Sequence, residues 1–295
     1  MDPIPVYARV LGTFLGIVAV PMLVFGVLAG TSSVLATTAQ VHRTATYDVG
    51  DAPLLRLDVQ HGDVDVEAGA DGRIVVDYEH SASSITRAAA GWAVNQARVS
   101  ISHEANEVSV QETSSLNPIV PLNRSAELRV QVPARTDLDI TCFGNLTVGR
   151  LDGNFRIRGR QGTTLRHVSL RNSSTIDGGP GTVQLDDVTV SGTASVKSRA
   201  GDILFSGSLA PGPNALNIDA GRQSNVSITL PDPTDARAIV ATSTGNLKAD
   251  PIWHFSRTGG PLTSTWSADL SANPSSAINV TTDQGNISFG VAERR

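Results

Sequence analysis

One cysteine, Cys142, stands in 295 residues, which excludes an internal disulfide framework and any cysteine-rich metal centre. Lysine is nearly absent: of 23 basic residues only Lys197 and Lys248 are lysines, and the others are arginines. Aromatic residues make up 4% and charged residues 17%, the latter against roughly 25% in an ordinary soluble domain. A net charge of −5 is too small to hold a chain open, and an apolar content of 40% excludes disorder. The same negative balance argues against a nucleic-acid partner. The 27 glycines have no three-residue period, so the chain is not collagen-like.

Catalytic signatures are missing as well. There is no Gly-x-Ser-x-Gly elbow, no phosphate-binding Walker loop, no His-Glu-x-x-His and no Gly-x-Gly-x-x-Gly opening a helix. The six histidines (His42, His61, His80, His103, His167 and His254) are scattered without ligand spacing, so neither a metal nor a cofactor is expected. Gly178-Gly179-Pro180-Gly181 lacks the aspartate that glycine-rich calcium coils place after their glycines. Asp186-Asp187 is the one adjacent acidic pair in the repeats, and neighbours on a strand are expected to point to opposite faces. No catalytic residue is assigned.

What the chain does have begins at its N-terminus. Residues 10–36 carry no charge, and Val10–Ala29 is almost wholly apolar. About 20 residues at 1.5 Å each cross a hydrocarbon core of ~30 Å. The run predicts a single membrane-spanning helix over 10–36 after a short tail, 1–9, with the N-terminus cytoplasmic and residues 40–295 outside the cytoplasm. The alternative is a cleaved signal peptide and a secreted product. Residues 37–53 read as a polar tether and 291–295 as a polar tail.

From 54 to 290 short alternating runs replace helical periodicity. Leu57-Asp-Val-Gln, Val64-Asp-Val, Leu128-Arg-Val-Gln-Val and Ile278-Asn-Val each put every second side chain on one face, as half-buried strands do. A strand, a Gly-Asp or Gly-Asn corner and a second strand recur at Gly62-Asp63, Gly144-Asn145, Gly201-Asp202, Gly245-Asn246 and Gly285-Asn286. Turn glycines at 144, 162, 181, 201 and 221 are spaced 18, 19, 20 and 20 apart. Gly245 follows after 24, Gly285 after 40 more, and Gly62 precedes Gly144 by 82. A period near 20 predicts an all-β fold, a single-stranded β-solenoid of about nine to eleven coils. Its corners are expected to use glycine for φ > 0, with the Asx side chain bonding back to the backbone. An antiparallel sandwich or barrel is the alternative, since Gly-Asn also marks hairpins.

One stretch departs from the pattern. Residues 85–99 (ITRAAAGWAVNQARV) are alanine-rich, with Ile85, Ala89, Trp92 and Val99 near one helical face. They predict a short helical insertion covering the side or end of the solenoid, followed by a hairpin turning near Ala105-Asn106. Six Asn-x-Ser/Thr sequons, at 123, 145, 172, 225, 279 and 286, are expected by chance in a chain this rich in Asn, Ser and Thr.

Three stretches resemble the bacterial putative-adhesin family: Leu57–Glu67 with Gly72-Arg-Ile-Val-Val, Val130–Ile140 with its Pro133, and Ile228-Thr-Leu-Pro leading to Ile239-Val-Ala-Thr-Ser-Thr-Gly-Asn-Leu. The resemblance spans about residues 48–290. This chain departs from the family pattern by its helical insertion and by Asn for Asp at three of the five corners. The resemblance implies an extracytoplasmic, often membrane-anchored β-solenoid linked to adhesion or envelope stress, and it carries over no catalytic residue.

The one charge constellation is basic. Arg156, Arg158 and Arg160 alternate with Ile157 and Gly159 on one strand, and Arg166 and Arg171 follow. Such a ladder suits bidentate contacts to phosphate, sulfate or carboxylate. The expected function is therefore a non-enzymatic, membrane-tethered surface for adhesion or envelope contacts. The membrane through 10–36, an anionic glycan, a cell-wall polymer or an envelope protein are the candidate partners. A scaffold or sensor partner of an envelope stress system is the second reading, and a cell-wall polysaccharide-active enzyme the third.

Overall fold

Alternation of β-branched and polar residues makes nearly every element of this chain a strand. The computed structural model describes residues 37–84, 86, 88, 90, 91, 94, 97–114, 123–258 and 264–292. In chain order the strands are β1 (Thr37–Asp48), β2 (Leu54–Val59), β3 (Asp63–Ala68), β4 (Arg73–Ser84), β5 (Ala97–Glu104), β6 (Glu107–Ser114) and β7 (Asn123–Val132). Next come β8 (Asp137–Cys142), β9 (Leu146–Gly149), β10 (Asp152–Gly153), β11 (Phe155–Gly159), β12 (Thr163–Asp177), β13 (Val183–Ser198) and β14 (Ile203–Leu209). The last are β15 (Ala215–Ala220), β16 (Val226–Leu230), β17 (Ala236–Thr242), β18 (Leu247–Ala249), β19 (Ser256–Thr258), β20 (Ser264–Asp269), β21 (Ser276–Thr282) and β22 (Ile287–Val291). The fold is all-β, and its strand pairing is that of stacked coils.

The described residues fall into two units. The smaller is drawn from 1–41, 80–96 and 115–125, the larger from 42–79, 97–114 and 126–295. In the smaller unit Ala88, Ala90, Gly91 and Val94 are helical, with Ala90 N–H donating to the Thr86 carbonyl at 3.0 Å. Ala82 and Val94 are buried there against Ala39 and Val41. The helix predicted over 85–99 stops short of its expected end, because β5 begins at Ala97. The alternation of Val99 and Ile101 fits the β5–β6 hairpin better than another helical turn. That hairpin is antiparallel and turns at Ala105, whose φ is 51°.

The larger unit is built from parallel coils. Each has a first arm, a corner and a second arm, and the central coils add a short third arm from β10 and the middles of β12 and β13. Register places one inward residue per level along the first arm: Val110, Leu57, Ile140, Ile157, Ile176, Val196, Ile218, Val280 and Val240. That column makes nine levels among the described residues. On the second arm the matching column is Val130, Val66, Val148, Leu165, Leu185, Phe205, Ile228, Phe289 and Ala249. These residues are almost all buried, and each aliphatic one stabilises the stack by roughly 1.5–3 kcal/mol relative to exposure.

Stacking order departs from chain order at both ends. β2 pairs with β8 on one side and β6 on the other, so the coil at 54–68 lies between β6/β7 and β8/β9. Likewise β21 pairs with both β15 and β17, so the last coil in sequence is inserted before the one that precedes it. The intervals of 82 and 40 residues, expected to hold several coils, are each a single stacking step. A hairpin excursion fills the second interval: β17 pairs antiparallel with β20, and β20 with β19.

The corners work differently from the sequence expectation. Gly62 has a positive φ of 99°, but Gly144, Gly201, Gly245 and Gly285 do not lie in the left-handed region. What these positions cannot admit is a Cβ. At Gly201 it would sit 2.1 Å from the Gly181 carbonyl oxygen, and at Gly245 1.8 Å from that of Gly285. Stacked backbones at the corner leave no room for a side chain.

The tether assignment is also corrected, since Thr37–Asp48 is strand β1. Ala39, Val41, Ala45 and Tyr47 are half-buried, an alternation diluted by the polar residues around them. The predicted membrane segment 10–36 and most of the tail 291–295 lie outside the described residues. Among the described residues no helix is long and apolar enough to cross a membrane.

Candidate anion-binding site

The strand pairing decides which arginines meet. Arg156 and Arg158 alternate with the buried Ile157 on β11 and are exposed on the outer face of the first arm. In register Arg156 stands between Asp139 and Thr175, and Arg158 between Thr141 and Asp177. Arg160 follows at the corner, its guanidinium over the Phe143 ring at 4.3 Å from the centroid, a cation–π contact.

Arg166 and Arg171 do not join them. Arg166 lies past the corner, on the second arm, in register with Gly149 and Asp186. Arg171 is on the third arm, where Nε and Nη2 donate to both carboxylate oxygens of Asp152. That pairing raises the Arg171 pKa and uses its bidentate face. The five-residue ladder is thus a group of three.

Arg156 does not line the concavity that Arg158 and Arg160 share, and a sixth arginine takes its place. Arg158, Arg160 and Arg199 line an open concavity of about 300 Å³ with Thr141, Asp177 and Pro180. Arg199 N–H donates to the Gly179 carbonyl at 2.6 Å, as Arg160 N–H does to that of Cys142 at 3.0 Å. Arg160, Gly179 and Arg199 therefore occupy one corner position on three successive levels. Two strand spacings put the two arginine backbones roughly 10 Å apart. Between them the middle level contributes Gly179 and Pro180, whose lack of a long side chain leaves the gap. Arg158, Arg160 and Arg199 form no ion pair within 4.0 Å among the described residues, and neither do Arg135, Arg156 and Arg166, whereas Arg56, Arg73, Arg129, Arg150, Arg171, Arg222 and Arg237 do.

Arg199 escaped sequence reasoning because it lies outside the local cluster. A signal was present all the same, since 39 residues separate it from Arg160, close to two repeats.

Asp177 gives the concavity one acceptor. Its Oδ1 takes the Gly179 N–H at 2.9 Å, which orients the carboxylate, and Gly179 holds a left-handed φ of 59°. No hydrogen bond occupies Oδ2 among the described residues. Three arginines around one concavity with one oriented carboxylate can hold an anionic group by paired N–H donors.

Several other charged groups are paired within the fold. Asp186 and Asp187, expected on opposite faces, are both exposed, because Asp187 turns the corner at φ 53°. Asp187 Oδ2 lies 2.8 Å from His167 Nδ1 one level below. A larger concavity of about 610 Å³ lies over β17, β19 and β20, but its arginine is spent: Arg237 grips Asp269 at 2.6 and 3.1 Å. On the second arm Arg129 is bonded to Glu127, which raises its pKa. Burial, then the neighbouring Glu67, raises that of Asp65. Cys142 is fully buried, and burial pushes its thiol up to about 11. No group of three or more His, Cys, Asp or Glu side chains fit to hold a metal ion occurs among the described residues.

Comparison with known proteins places residues 54–289 in the match to the family model Toastrack DUF4097. Among solved structures, a putative cell adhesion protein from Clostridium sporogenes is similar at 12% identity and a TM-score of 0.34, covering 86% of this chain and 100% of that one. A putative adhesin from Bacteroides fragilis is similar at 10% identity and a TM-score of 0.39, covering 84% and 97%. A putative lipid binding protein from Parabacteroides distasonis is similar at 12% identity and a TM-score of 0.33, covering 85% and 97%. None of the curated proteins compared matches the chain.

Proposed function

We propose, from the premise that the chain belongs to the Toastrack DUF4097 family, that it is a non-enzymatic, membrane-tethered β-solenoid presenting a surface for adhesion or cell-envelope contacts. In this reading residues 10–36 are the anchor, the N-terminus is cytoplasmic and residues 40–295 face outward. The observation that carries the reading is the group Arg158, Arg160 and Arg199: three exposed arginines line one concavity without an ion-pair partner among the described residues. A charge left unpaired at the surface is available to a partner. Envelope polymers and anionic surfaces supply the complementary groups.

The test is co-sedimentation of the full chain with purified cell-envelope fragments at low and high salt. Retention should fall with salt and fall about tenfold or more when Arg158, Arg160 and Arg199 are all changed to alanine. Absent retention, or retention unmoved by the triple change, overturns the reading. Topology is tested separately, by protease access to a C-terminal tag on intact cells.

A further inference from the structure

We propose that the Arg158–Arg160–Arg199 concavity recognises an acidic saccharide, a sugar ring bearing a carboxylate, rather than a bare anion. This rests on the reading of the concavity as an anion-binding surface and adds the chemical class of its ligand.

Asp177 carries the argument. A site made only to attract anions would gain nothing from a carboxylate among its guanidiniums. At the short distances of a concavity of about 300 Å³, that carboxylate repels a phosphate or sulfate. Toward a sugar it acts as an acceptor. Ring hydroxyls are donors, and an ionised carboxylate is acceptor-only. Asp177 is oriented for this, with Oδ1 fixed by the Gly179 N–H at 2.9 Å and Oδ2 free of protein partners among the described residues. Its first-arm neighbours in register are Arg158 and Lys197, both cationic.

The remaining walls suit a ring. Gly179 and Pro180 form a low, apolar floor between two arginine levels, against which the C–H face of a pyranose can lie. Arg160, held by the Phe143 ring, and Arg199 approach from either side and take the carboxylate in paired hydrogen bonds. Thr141 adds a hydroxyl able to donate and accept. The volume is at the lower limit of small-molecule sites, enough for one sugar unit of a polymer that continues along the open face.

The experiment measures binding of the full chain, in neutral detergent, to trigalacturonate, to the neutral galactotriose, to inorganic phosphate and to phosphatidylglycerol vesicles. Trigalacturonate should bind and galactotriose should not. Arg160→Ala and Arg199→Ala should each weaken trigalacturonate about tenfold, the loss of one charge-assisted contact. Asp177→Asn keeps an oxygen for the Gly179 N–H. It should weaken trigalacturonate by a similar factor while leaving phosphate unchanged or tighter. If Asp177→Asn tightens trigalacturonate as well, Asp177 is only a repulsive neighbour and the saccharide proposal fails. Binding to vesicles but not to trigalacturonate also overturns it and assigns the concavity to a lipid surface, leaving the anionic-surface reading intact. Binding to none of the anionic probes overturns both.

Discussion

Asn145 donates its backbone N–H and its side-chain amide to one oxygen of Asp63, at 2.8 and 3.1 Å, across 82 residues of sequence. The same geometry recurs where Asn225 donates twice to Asp202, at 2.7 and 3.3 Å. The ladder continues as Asn286 N–H donates to Asn225 Oδ1 and Asn246 N–H to Asn286 Oδ1. The side chains of Asp63, Asn145, Asp202, Asn225 and Asn286 thus satisfy a backbone N–H of the neighbouring level. An acceptor-only aspartate sits at the start of each run.

Asp63→Ala should therefore destabilise the domain by about 0.5–1.5 kcal/mol, because it removes the shared acceptor of two hydrogen bonds at an exposed corner. Asp63→Asn keeps one acceptor oxygen and should cost less than half as much. Chemical denaturation of the three proteins checks the order. Equal losses for Ala and Asn would show that charge, and not the acceptor, matters at this corner.

Gly201→Ala places a methyl 2.1 Å from the Gly181 carbonyl oxygen, backbone that cannot turn aside. A loss of about 3 kcal/mol or more is expected, at the upper end for overpacking. Gly290 has nothing closer to an added Cβ than Thr229 Oγ1 at 4.0 Å. Gly290→Ala should stay within about 0.5 kcal/mol of the parent. Thermal unfolding of both separates steric exclusion at corners from a general intolerance of alanine.

These corners show how far the sequence could be read. The Gly-Asx pairs, the spacing near 20 and the alternation around Ile157 and Val196 name the strands and the stacking direction of the central coils. They do not name neighbours at the ends. Gly62 and Gly144 fit four periods as well as one step, since spacing alone cannot distinguish coils from an excursion. Only hydrogen bonding shows that β2 and β21 are inserted. Arg156 and Arg158 share their face because alternation within one strand is local. Arg166 leaves it because one corner intervenes, and Arg171 because two do. Arg199 joins because the repeat returns the chain to the same corner two levels on.

Cys142 is buried next to a corner, with a thiol pKa raised to about 11 by burial. Its thiolate is disfavoured in the folded state, so its contribution to stability is intact below the unfolded value near 9. That contribution is lost as pH rises from there through about 11. The native protein should resist iodoacetamide at pH 8 and react fully once denatured. Stability of Cys142→Ala should decline less between pH 9 and 11 than that of the parent.

Asp235 accepts hydrogen bonds from the Ser275 and Ser271 hydroxyls and the Ser275 N–H, and these hold its pKa below the ordinary carboxylate value. A depressed folded pKa contributes stability above the unfolded value near 4, and that contribution is lost as pH falls through the folded one. The contacts tie the segment before β21 to the start of β17. Acid titration followed by circular dichroism should show Asp235→Asn less stable than the parent at pH 6, with the gap closing below pH 4.

The inserted coil makes the C-terminus structural in a way a sequential solenoid would not be. Where coils stack in chain order, removing the last one leaves the others in place and costs about one interface. Here β21 lies between β15 and β17, and β22 between β16 and β18. Truncation after Leu270 therefore removes two interfaces and strips β17 and β18 of their only parallel partners among the described strands. The Thr282 hydroxyl bonded to the Ser224 carbonyl at 3.0 Å is lost with them. Hydrogen exchange on the truncated protein should show protection gone from β17 through β20 as well as weakened at β15 and β16. Protection retained over β1 to β14 is expected, because β13 and β14 keep each other through their own register. If β17 to β20 stayed protected after truncation, the hairpin would be self-supporting and the insertion incidental to stability.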